Sequence, residues 1–80
     1  MNKIDYLISL LPKAGVEKEI ISNNIQELVD AGEEGEALAE AAAILNKQET
    51  VPEEVEHALR DAAECVDEDV SEWYTWRFPI

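Results

Sequence analysis

Apolar residues in this chain recur at helical spacing, and a few prolines and glycines cut the recurrence into short lengths. Ile4, Leu7, Ile8 and Leu11 follow the i, i+3, i+4, i+7 pattern of one helical face. Pro12 is expected to end that helix, because the residue before a proline is pushed out of the helical region, and "PKAG" then makes the turn. A second face, Ile21, Ile25, Leu28 and Val29 with Ile20 beside it, runs to Ala31. It meets Gly32 where a left-handed C-cap is wanted. "EEGE" opens a third segment with acids suited to a helix N-terminus, followed by Ala37, Leu38, Ala41, Ala42, Ile44 and Leu45. "TVPE" at 50–53 reads as a capping box with proline in the first turn. The fourth segment then carries Val55, Ala58, Leu59, Ala62 and Val66 on one face. No alternating strand pair or Gly-rich loop occurs. The expectation is a single all-α domain, a small compact bundle of about four short antiparallel helices. They fall at 3–11, 16–31, 35–47 and 51–70, with an extended aromatic tail at 71–80.

The stretch from "NNIQELVDAGEEG" to "DAAECVDED" is similar to armadillo or HEAT helical repeats in its Leu/Ala spacing. Any packed helical pair shows that spacing, and such arrays need about three or more units for stability. No function is carried from it.

Eighty residues make one domain near the lower end of what buries a self-sufficient core. Ten of the apolar residues are alanine, which adds little buried area, so a packed tail, a partner or a homodimer would each help. The charge is more decisive. Nineteen acids against six bases leave −13. Residues 1–32 hold five acids and three bases, whereas residues 33–80 hold fourteen acids and three bases. Such a surface repels nucleic acid and anionic lipid, which need Lys and Arg to neutralise phosphate. It attracts basic proteins and speeds encounter with them.

Catalytic and metal constellations are missing. Cys65 is the only cysteine, which excludes a disulfide framework. His57, Asp61 and Cys65 stand four apart, but helical geometry points His57 away from the Val55/Leu59/Val66 face and leaves Cys65 half-buried at its border. Acids surround the thiol, the opposite of what lowers a cysteine pKa. "DAGEEGEALAEA" places Gly35 at EF-hand loop position six but has Gly32 and Ala41 where ligands are required. No P-loop, dinucleotide fingerprint or HExxH is present. No catalytic, cofactor or metal residue is assigned. The opening run "YLISLL" is too short for a signal peptide or a membrane span, so the chain reads as cytoplasmic.

Two features point outward. Asp61, Glu64 and Glu68 stack like charges three and four apart, each pair destabilising an isolated helix by about 0.2–0.5 kcal/mol. Asp67, Glu68 and Asp69 near the helix end oppose its dipole. In the tail, four of the five aromatics fall in the last eight residues: Trp73, Tyr74, Trp76 and Phe78. The pattern suggests a helix to Trp73 or Tyr74, with Trp73 in line with the core face, and then an extended strip. There Tyr74, Trp76, Phe78 and Ile80 alternate with Thr75, Arg77 and Pro79. Trp, Tyr and Arg dominate binding hot spots.

The sequence therefore predicts a non-enzymatic acidic protein that occupies a basic surface of a partner protein. Toxins and nucleic-acid-handling enzymes are the natural targets. In composition it resembles toxin-immunity proteins, phage-encoded inhibitors and nucleic-acid mimics. The expected contact residues are Asp61, Glu64, Asp67, Glu68, Asp69, Glu72, Tyr74, Trp76 and Arg77. The alternative is a structural subunit of a homo-oligomer or larger complex, joined through its alanine-rich third helix.

Overall fold

In the computed structural model, residues 2–78 are described, so the expectations for Pro79 and Ile80 fall outside them. Every regular element among these residues is helical. Helix α1 spans Lys3–Leu10, and Asn2 caps it by accepting from the Asp5 N–H at 2.8 Å. The α-helix ends within a residue of the expected position, but Pro12 is not the cause, because Leu11 before it keeps helical angles (φ −54°, ψ −37°). The chain tightens into a 3₁₀ turn, Leu11–Ala14, in which Pro12 occupies the first turn. A missing N–H is harmless at that position. Gly15, with φ of 83°, makes the stop.

Helix α2 is continuous but not uniform. Lys18–Ile20 and Glu27–Asp30 are α-helical and flank a π-helical stretch, Ile21–Gln26. Ile21 and Ile25, four apart on one face, both lie in the core. The helix ends as predicted at Gly32, where the Glu33 N–H reaches the Leu28 carbonyl at 2.8 Å and the Gly32 N–H reaches Val29 at 3.0 Å. Helix α3 spans Glu34–Asn46 and α4 spans Glu53–Cys65.

The capping box does not form. Pro52 stays extended (ψ 147°) and takes the N-cap position itself, with no side-chain cap bond. The helix therefore starts at Glu53, leaving Thr50 outside its first turn. Helix α4 also stops earlier than the expected residue 70. Asp67 adopts φ of 57°, and the Glu68 N–H closes back on the Ala63 carbonyl at 2.9 Å. This is the glycine-type helix stop with an aspartate in the left-handed position.

Helices α1 and α4 run antiparallel. Lys3 approaches Asp61 at 4.0 Å at one end, and Lys13 meets Glu54 at 3.0 Å at the other. Leu7, Leu11, Ile25, Leu38, Leu45, Val55 and Leu59 form the fully buried centre. Seven of the ten alanines join them, so the small faces of α3 and α4 serve this chain's own close packing. The extents, 32 × 26 × 24 Å, belong to a small bundle and not to an elongated repeat array.

Candidate binding surface

Three side chains turn the tail into a structural clasp. Glu56 on α4 is 2% exposed, and its carboxylate accepts from the Tyr74 hydroxyl. It also accepts from the backbone N–H of Arg77 at 2.8 Å and of Phe78 at 3.1 Å. Such charge-assisted bonds make burying a carboxylate tolerable. Burial, and then the adjoining Glu56, push the Tyr74 phenol well above the ordinary tyrosine value. Arg77 lies over the end of α3 and donates to the carbonyls of Gln48 (2.7 Å), Asn46 (3.2 Å), Glu49 (3.3 Å) and Leu45 (3.4 Å). A cation there satisfies orphan carbonyls and suits the helix dipole. The Thr75 N–H donates to the Asn46 side chain at 3.0 Å.

Tyr74 and Arg77, predicted to face a partner, are therefore committed to the fold. Tyr74 is 2% exposed, and Trp76 is half-buried edge-on to it, with ring centroids 5.0 Å apart. Trp73, predicted to lie in the core, is instead 46% exposed. The cause is the early stop of α4. Val70 buries and its carbonyl accepts from the N–H of both Trp73 (2.9 Å) and Tyr74 (3.0 Å). Asp69 accepts from the Ser71 N–H and hydroxyl, bonds that lower its carboxyl pKa. This turn sends Trp73 outward and Tyr74 inward.

The predicted acids divide. Glu64, Asp67, Asp69 and Glu72 are exposed. Asp61 faces Lys3. Glu68 is half-buried over the first turn of α3, where a Cβ added to Gly35 would lie 2.6 Å from its Oε1. A carboxylate is stabilised at a helix N-terminus. His57 is exposed beside Glu53 at 3.6 Å, and Cys65 is exposed, not half-buried. Among the described residues no group of three or more His, Cys, Asp or Glu is placed to hold a metal ion, and no helix is long and apolar enough to cross a membrane.

One surface sequence reasoning missed is a groove of about 330 Å³ between α2 and α3. Leu28, Ala39 and Ala43 give it apolar walls, Glu36 and Glu40 are its acids, and Trp73 closes one side. Residues 36, 39, 40 and 43 lie at helical spacing along α3, a signal present in the sequence. What the sequence did not disclose is that the tail brings Trp73 to them. Comparison with known proteins finds no matching family model, no similar curated protein and no similar solved structure.

Proposed function

We propose that this protein is a non-enzymatic acidic binder that occupies a basic surface of a partner protein in the cytoplasm, as an inhibitor, immunity protein or nucleic-acid mimic does. The observation that carries this reading is Trp73, a large aromatic left 46% exposed on a chain of net charge −13. An exposed tryptophan supplies desolvated contact area, and the surrounding carboxylates steer a cationic partner toward it. Glu64, Asp67, Asp69 and Glu72 extend the negative field along the end of α4 and the turn that follows. The partner expected is a protein rich in Lys and Arg, such as a nucleic-acid-handling enzyme or a toxin.

The assembly alternative has less support. Ala37, Ala41 and Ala42 of α3, the face it relies on, are already buried inside the chain's own core. Affinity capture from the native host at low salt tests the reading. A basic protein retained at low ionic strength and released at high salt is the expected result. Recovery of no basic protein, or of partners indifferent to salt, would count against it.

A further inference from the structure

Resting on that reading, we propose that the groove between α2 and α3 receives one apolar side chain of a basic partner helix, with Lys or Arg residues one turn apart flanking it. The groove has the two chemistries such a segment needs. Leu28, Ala39 and Ala43 offer an apolar lining, and Trp73 stands beside them with nearly half its surface in solvent. Glu36 and Glu40 are both exposed and lie four residues apart on α3. That places them roughly 6 Å apart along the axis, the spacing of cations at i and i+4 on an opposing helix. An apolar face laid in a groove, with charges fixing register, is a general mode of helix recognition.

Charge decides among the occupants. Helix α3 contains Glu34, Glu36 and Glu40 and no basic residue. A second copy docked here across a two-fold axis would oppose the same carboxylates to one another, on a molecule already at −13. Nucleic acid meets the same repulsion. A neutral apolar ligand would fill the floor but leave both glutamates without counter-charges. A cationic amphipathic segment satisfies floor and rim together.

Nuclear magnetic resonance on the full ¹⁵N-labelled protein tests this. The probes are a helical peptide with leucine on one face and lysines one turn apart, a lysine-only peptide of equal charge, and the leucine peptide with glutamate for each lysine. The expected result is saturable shifts at Leu28, Glu36, Ala39, Glu40, Ala43 and the Trp73 indole with the first probe alone. Binding should weaken by about tenfold or more in Trp73→Ala. The Glu36→Gln/Glu40→Gln double variant, which leaves the packing untouched, should weaken it too. Equal binding of the lysine-only peptide, with shifts spread over the α4 acids, would overturn the groove and leave the broader acidic-binder reading standing. Failure of both cationic probes at low salt would count against both. Binding of the glutamate peptide, or concentration-dependent self-association that shifts the same residues, would make the occupant an apolar ligand or a second copy and overturn the basic helix.

Discussion

Glu56 is the residue on which the C-terminal segment depends. Its carboxylate takes three hydrogen bonds from the tail inside the protein, where a bond to a charged group contributes about 1.5–3 kcal/mol. Glu56→Gln keeps the shape but replaces one acceptor oxygen with a donor facing other donors. We expect it to cost about 2 kcal/mol in urea denaturation; an unchanged midpoint would mean that the tail packs without the carboxylate. The same site sets an alkaline limit. Because the folded Tyr74 pKa lies above the unfolded value of about 10, the unfolded state releases its proton first as pH rises. The stabilisation is therefore complete below about pH 10 and lost progressively above it. Tyr74→Phe should start less stable but lose less between about pH 9 and about pH 11. Parallel slopes for the two proteins would refute this. The tryptophans separate by exposure. Half-buried Trp76, edge-on to Tyr74, should cost about 3 kcal/mol as Trp76→Ala, whereas Trp73→Ala should cost about 1–2 kcal/mol and remain folded by circular dichroism.

At the scale of elements, the end of α4 governs everything after it. The stop rests on Asp67 in the left-handed region, a conformation that costs a non-glycine residue roughly 1 kcal/mol. Asp67→Gly removes that strain and a negative charge beside a helix C-terminus. It should raise stability by about 0.5–1 kcal/mol, read from thermal melts, offset in part by the greater freedom of glycine in the unfolded chain. Destabilisation would mean that the Asp67 side chain has an attractive role that the geometry does not reveal. The other stops already use glycine, at Gly15 and Gly32. This difference explains why the sequence located the end at Gly32 and overshot α4 by several residues.

For the whole molecule, repulsion outweighs attraction among exposed charges. Lys3–Asp61 and Lys13–Glu54 are surface pairs, a class worth about 0–1 kcal/mol each, set against nineteen acids. Salt screens both, and the repulsive part is larger. The melting temperature at neutral pH should therefore rise between low ionic strength and about 0.5 M, as the Debye length falls well below 10 Å. A flat or falling curve would show the acids to be too dispersed to repel one another. The contrast with partner binding is direct, because the salt that steadies the isolated protein should weaken its hold on a basic partner.

Short-range rules determined the class of fold: apolar residues at helical spacing, glycine where a helix must stop, and no strand pair. They also set the two-residue alternation of the tail, which holds across Tyr74, Trp76 and Phe78 inward and Thr75 and Arg77 outward. Tertiary structure decided its phase. Period is a property of neighbouring residues, but the set that faces inward depends on what waits there. Here that is Glu56, 18 residues before Tyr74 and 22 before Phe78. A signal for Glu56 existed, since it lies three and seven positions before the buried Leu59 and Ala63. An isolated glutamate beside an apolar face nevertheless looks like one more solvated acid. Only the returning tail, with a hydroxyl and two backbone N–H groups to give, makes burial of that carboxylate favourable and turns Trp73 out to solvent.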